Sequence, residues 1–135
     1  MIRVILVEDD LISRFCIRNV LENICDIQVV AEADNGLEAV RMVDEVSPDV
    51  VLMDLEMPVM DGIQASRQIR EKDKGVRILI LTSHCDENHV RASLSVGATG
   101  YCLKGIEADR LPSAICAVHA GDVWLDHAVS HILQG

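Results

Sequence analysis

Val50-Val51-Leu52-Met53-Asp54-Leu55-Glu56-Met57-Pro58, followed by Asp61-Gly62, decides how this chain folds. Four apolar residues, two of them β-branched, form a run too short for a helix and too uniform for a half-exposed strand. Such a run reads as a strand buried on both faces of a parallel sheet. Asp54 ends it, which places a carboxylate at the mouth of the sheet, where open α/β folds bind ligands. The run 2–7 ends the same way, in Glu8-Asp9-Asp10, and two further apolar runs end in Thr82 and Lys104.

Working outward, strand-like runs at 2–7, 27–32, 50–53, 76–81 and 100–103 alternate with amphipathic stretches at 11–24, 37–46, 63–70, 87–96 and 108–119. Alternation of this kind predicts an α/β protein, a parallel sheet covered by helices on both sides through right-handed crossovers. Five units in one chain of 135 residues fit a single domain with the flavodoxin-like, doubly wound (βα)5 architecture and strand order 2-1-3-4-5. The domain is expected over 1–121. The tail 122–135, which carries the sole Trp, is expected as a short helix or the start of a linker. Asn35 before Glu38, Asp86 before the stretch from Glu87, and Asp10 have the chemistry of helix N-caps.

Half of the residues are hydrophobic and aromatics are scarce, so Val, Ile, Leu and Ala must build the core. A net charge of −10 argues against nucleic-acid binding, which needs a basic face, and suits a cationic partner. No apolar run reaches the roughly 18 residues that span a bilayer, and the N-terminal stretch lacks a signal-peptide layout, so a cytoplasmic location is expected. The five cysteines include no C-x-x-C pair. Cys16, Cys102 and Cys116 are expected as small core residues, and Cys85 as more exposed.

The order 2-1-3-4-5 makes the first and third strands neighbours, so Glu8, Asp9 and Asp54 converge. Carboxylates a few ångströms apart repel by about 1 kcal/mol per pair in water, and by more where water is excluded. A cluster of this kind calls for a cation, and oxygen ligands with room for water suit Mg2+ or Mn2+. Thr82 and Lys104 add a hydroxyl and an ammonium at the same end of the sheet. Together these groups can hold the peripheral oxygens of a phosphoryl group while Asp54 acts as its acceptor. Taken singly, each residue has a plainer reading as a helix cap or a solvated strand end; the set on four strands is what carries the assignment.

The chain resembles the receiver domain of bacterial two-component response regulators. The matching pieces are Ile5-Leu6-Val7-Glu8-Asp9-Asp10, Met53-Asp54-Leu55-Glu56-Met57-Pro58 with Asp61-Gly62, Leu81-Thr82-Ser83, and Gly97-Ala98-Thr99-Gly100-Tyr101 with Lys104. The stretch 97–104, with Ala114-Ile115, Gly121 and Trp124-Leu125, is most similar to the NarL/FixJ-type (LuxR-type output) subfamily. Its full-length members carry a helix-turn-helix DNA-binding domain after the receiver, and none follows within this sequence.

The resemblance implies that Asp54 accepts a phosphoryl group from a histidine kinase or phosphotransfer protein. It implies Mg2+ bound by Asp9, Asp54 and the backbone carbonyl of Glu56, with Glu8 acting through water. Lys104 would pair with the phosphoryl oxygens, Thr82 would hydrogen-bond one of them, and Tyr101 would turn inward. Such a protein is a switch that controls an output, expected to be transcription, and not a turnover enzyme. Homodimerisation on phosphorylation is expected to be weak. Glu56 and His84, two residues after Asp54 and Thr82, are expected to tune the lifetime of the phosphoryl group. One departure is Gly105, where relatives often carry a cis proline after the lysine.

Other classes fit less well. A Mg2+-dependent phosphatase or phosphotransferase of the haloacid-dehalogenase type would carry a second Asp where Glu56 stands, and a lid for which this chain has no insertion. A stand-alone receiver acting through protein contacts is the alternative within the family. A flavin carrier would need a Ser/Thr/Gly-rich first loop; Glu8-Asp9-Asp10 would repel its phosphate.

Overall fold

A computed structural model describes residues 1–24, 26–83, 85–105 and 110–134. Strands β1 (Ile2–Val7), β2 (Ile27–Ala33), β3 (Val50–Met53), β4 (Arg77–Thr82), β5 (Gly100–Leu103) and β6 (Trp124–Leu125) alternate with helices α1 (Leu11–Glu22), α2 (Gly36–Val46), α3 (Gly62–Lys72), α4 (Glu87–Ser95), α5 (Leu111–His119) and α6 (His127–Gln134). All six strands form one parallel sheet in the order β2-β1-β3-β4-β5-β6. The expected order 2-1-3-4-5 is present. A sixth strand is added at its edge, where Gly100 and Tyr101 pair with Trp124 and Leu125.

Alternation along each strand divides the core in two. Ile5, Val7, Val51, Met53, Ile78, Ile80 and Tyr101 face Ala39, Val43, Ala65, Ile69 and Val90 of α2, α3 and α4. Val4, Leu6, Val50, Leu52, Leu79 and Cys102 face Leu21 of α1 and Leu111, Ile115 and Val118 of α5. Burial on both faces explains why the central strands read as uninterrupted apolar runs. Among the described residues no helix is long and apolar enough to cross a membrane.

The helix starts are fixed by side chains that accept the otherwise unpaired amides of the first turn. Asp10 accepts from Ser13, Asn35 from Glu38, Asp61 from Gln64 and Asp86 from His89. Gly97 and Gly121, just past α4 and α5, have φ of 106° and 101°, a region that costs glycine little.

Two of the cysteine expectations are corrected. Cys102 is buried, but Cys16 and Cys116 are exposed, and Cys85 is intermediate. The cause for Cys16 is the orientation of α1, which buries only Leu21 completely and turns Leu11, Ile12, Phe15 and Cys16 outward. An apolar sequence pattern around the whole helix conceals which stripe meets the sheet.

Candidate functional site

The ends of β1, β3, β4 and β5 converge on one cleft of about 290 Å³, lined by Glu8, Asp9, Asp54, Glu56, Thr82 and Lys104 among others. The sheet registers these residues. The amide of Asp54 donates to the carbonyl of Val7 at 3.1 Å, and that of Lys104 to the carbonyl of Thr82 at 2.9 Å. Neighbouring strand ends are therefore tied across β1–β3 and β4–β5 just where the chain leaves the sheet.

Asp54 is nearly buried. Its Oδ1 accepts from the Leu55 amide at 2.8 Å and its Oδ2 faces the Lys104 ammonium at 3.3 Å. The next turn is held by the Gly62 amide on the carbonyl of Leu55 at 2.9 Å. A Cβ on Gly62 would lie 2.0 Å from the carbonyl oxygen of Asp54, so only glycine lets α3 start this close beneath the acceptor. Between them, Val59 has φ of 71° and lies under a bond from the Met60 amide to the Pro58 carbonyl at 2.8 Å, the tight three-residue turn that a β-branched residue adopts only under strain.

Glu8 is 1% exposed and shares the Lys104 ammonium with Asp54. Its second oxygen accepts from the Asp10 amide at 3.2 Å. Burial lowers the tendency of Lys104 to hold its proton, but the hydrogen bond to Glu8 and the charges of Asp54 and Glu8 outweigh this and raise its pKa. Asp9 is exposed at the cleft mouth. Desolvation, then the hydrogen bond and charge of Glu8, hold its carboxyl above the usual range.

Ligand atoms of Glu8, Asp9 and Asp54 all lie within 4.8 Å of one another. An all-carboxylate set with an open mouth suits a hard divalent cation, so the donors fit Mg2+. The structure brings together Glu8, Asp9, Asp54, Glu56, Thr82 and Lys104. Tyr101 lies apart, fully buried on the α4 side of the sheet, and Thr82 is also fully buried. Burial pushes the Tyr101 phenol well above its ordinary value. His84 lies outside the described residues. No cis peptide bond occurs among the described residues.

Arg14 was missed from the sequence. Its guanidinium donates to the carbonyl of Glu8 at 3.1 Å and pairs with Glu32 at 3.3 Å, so α1 grips the acidic loop from behind. The available signal was its position four residues after the cap Asp10, one turn into α1.

Strands in this order, with an acidic cleft at their ends, make a flavodoxin-like sheet whose ligand site lies at the switch point. The model of the response regulator receiver domain matches residues 4–116, so the chain belongs to that family. It is 41% identical over 130 residues to the transcriptional regulatory protein LiaR of Bacillus subtilis, covering 96% of this chain and 62% of LiaR. It is 34% identical over 132 residues to the transcriptional regulatory protein DegU of Brevibacillus brevis, covering 98% of this chain and 56% of DegU. The chain thus spans about three fifths of the length of these relatives. A crystal structure of a LuxR-family two-component response regulator from Aurantimonas sp. SI85-9A1 superposes with a TM-score of 0.95 at 36% identity, covering 99% of this chain and 96% of that one. The protein is a receiver domain of the two-component type, a signalling switch whose relatives include transcriptional regulators.

Proposed function

We propose that Asp54 is the phosphoacceptor of this receiver, loaded by a histidine kinase or phosphotransfer protein with Mg2+ held by Asp9, Asp54 and the carbonyl of Glu56. The observation that carries the reading is the Lys104 ammonium set between Asp54 and Glu8 at the ends of three strands. One carboxylate oxygen of Asp54 attacks the phosphorus of the donor. The bond from phosphorus to the donor nitrogen breaks, and the imidazole leaves with the electron pair and takes up a proton. A bound Mg2+ would neutralise the carboxylates and the phosphoryl oxygens.

The chain's own groups do the rest. Lys104 exchanges its contact with Glu8 for the new phosphoryl oxygens, and Thr82 donates its hydroxyl to one of them. Buried on neighbouring strands, Thr82 and Tyr101 pass the change to the α4–β5 side. Glu56 at the cleft mouth tunes the lifetime of the acyl phosphate, and His84 is assigned the same role. Leu11, Ile12 and Phe15, exposed beside the acidic loop, offer the phosphodonor an apolar landing surface. The output is transcription in the cytoplasm through a DNA-binding partner domain, with weak dimerisation on phosphorylation.

The test is the intact mass after incubation with acetyl phosphate and Mg2+. One added phosphoryl group that needs the metal and is lost in Asp54→Asn is expected. No adduct on folded protein, together with no uptake of beryllium fluoride, refutes the assignment.

A further inference from the structure

Six polar or charged side chains are buried among the described residues, and five have roles already apparent. Glu8, Asp54 and Thr82 belong to the cleft, while Ser66 and Ser93 donate to carbonyls one turn back in their own helices. Asp126 is the sixth, 4% exposed and remote in sequence from the motifs. Its Oδ2 accepts from the Leu103 amide at 2.8 Å, and its Oδ1 from the Trp124 indole at 2.9 Å. Its amide donates to the Tyr101 carbonyl at 3.2 Å, and its carbonyl accepts from the Ser130 amide at 2.9 Å to open α6.

The placement follows from the shortness of β6. The ladder with β5 stops at Leu125, because the chain turns into α6 at His127. The Leu103 amide would then lack the carbonyl a longer strand would give it. The Asp126 carboxylate takes that carbonyl's place. Leu103 and Lys104 are consequently clamped from both sides: Lys104 by the Thr82 carbonyl of β4, Leu103 by Asp126 of the tail. Val129 of α6 is fully buried in the same cluster as Tyr101, so the tail packs on the side of the sheet where that ring lies.

We propose that Asp126 is a positioning residue that holds Leu103, and through it Lys104, in register with Asp54, and that this contact couples the Trp124–Gln134 tail to the charge at the cleft. The coupling rests on the receiver assignment for its trigger, though not for its structural half. Because Lys104 contacts Asp54 and Glu8 directly, a phosphoryl group that draws the ammonium outward pulls on the backbone unit that Asp126 holds. The tail thereby registers occupancy of the site.

Trp124 is the sole tryptophan and donates to Asp126, so its emission reports the contact. The experiment records Trp124 emission and amide exchange at Leu103 and 127–134, with and without beryllium fluoride and Mg2+. It uses the intact chain, Asp126→Asn, Trp124→Phe for exchange alone, and Lys104→Ala. An amide side chain at 126 can accept from only one of the two donors. Asp126→Asn breaks one of these bonds and takes the carboxylate charge from the one it keeps, so exchange at Leu103 should speed about tenfold, phosphorylation by acetyl phosphate should slow, and the thermal midpoint should fall by a few degrees. In the intact chain, beryllium fluoride should shift the emission and the tail exchange, and in Asp126→Asn it should bind, as seen by fluorine NMR, without doing so. Trp124→Phe, which keeps the Leu103 bond, should keep the phosphorylation rate.

Fluoride bound with no response of the tail in the intact chain overturns the coupling, and an unchanged phosphorylation rate in Asp126→Asn overturns the positioning role. If Asp54 takes up neither a phosphoryl group nor beryllium fluoride, the phosphoacceptor assignment fails separately. Lys104→Ala then decides: altered exchange at 127–134 upholds the structural coupling, and exchange equal to the intact chain removes it.

Discussion

Replacing Lys104 by methionine keeps most of the side-chain volume and deletes the charge. In the structure the ammonium serves two carboxylates, of which the Glu8 side chain is 2% exposed and that of Asp54 10%, while Lys104 itself is 22% exposed. Removing one partner of a buried ion pair costs about 3–5 kcal/mol, because the remaining charge stays desolvated. The partial exposure of Lys104 places this case at the lower end, about 3 kcal/mol. With a urea slope of about 2 kcal/mol per molar, the unfolding midpoint of metal-free Lys104→Met should fall by about 1.5 M. Mg2+ at ten times its dissociation constant should return about 1.4 kcal/mol, since it binds only the folded cleft. Adding Glu8→Gln to Lys104→Met should also recover at least about 1 kcal/mol by removing the stranded charge. Equilibrium urea unfolding in EDTA and in Mg2+ measures all three. A midpoint unchanged by Lys104→Met, or a loss that neither Mg2+ nor Glu8→Gln relieves, would show that electrostatics do not hold this cleft together.

Gly62→Ala should destabilise by about 2–3 kcal/mol in the same assay, because its Cβ would sit 2.0 Å from the Asp54 carbonyl oxygen; a neutral result would mean that α3 slides freely. Val59→Gly should stabilise by about 1 kcal/mol, since φ of 71° strains valine and the side chain, 78% exposed, packs little. Leu21→Ala, at the only fully buried position of α1, should cost about 2–5 kcal/mol by urea unfolding. The pH dependence has a definite sign. An acid whose folded pKa is raised, as for Asp9, binds its proton more tightly when folded, so its penalty is full above the folded pKa and fades as pH falls toward the ordinary 3.8. Metal-free Asp9→Asn should thus melt higher than the intact protein at neutral pH and lose that advantage on acidification; an advantage that grows at low pH refutes the assignment.

The sheet was legible because its strands are buried on both faces, which leaves runs such as Val50–Met53 without polar interruption. The cleft was legible for a related reason: in a parallel sheet, the residue that ends each run must sit at the same edge as its fellows, as Asp54, Thr82 and Lys104 do. What escaped was carried by single contacts between distant positions. Nothing local to Trp124 and Leu125 announces a strand, since two residues show no periodicity and the pairing rests on backbone bonds to Thr99 and Tyr101, more than twenty residues away. The outward turn of α1 was hidden because Leu11, Ile12, Phe15, Ile17, Val20 and Leu21 surround the helix, so composition could not choose the stripe that meets β1 and β2. Arg14 belongs with these: its partner, the Glu8 carbonyl, is a backbone group that no sequence pattern marks.

The shortness of β6 also bears on self-association. A sheet edge invites another chain when it offers a long row of free amides and carbonyls. Here one edge ends after Trp124 and Leu125, where the chain folds away into α6. The opposite edge, β2, is longer, but it carries Glu32, whose carboxylate is bridged to Arg14 and Arg18 of α1. Neither border is a good template for adding a strand. Growth by the continuous cross-strand ladder, which has no natural stop, is therefore disfavoured at both borders of this sheet.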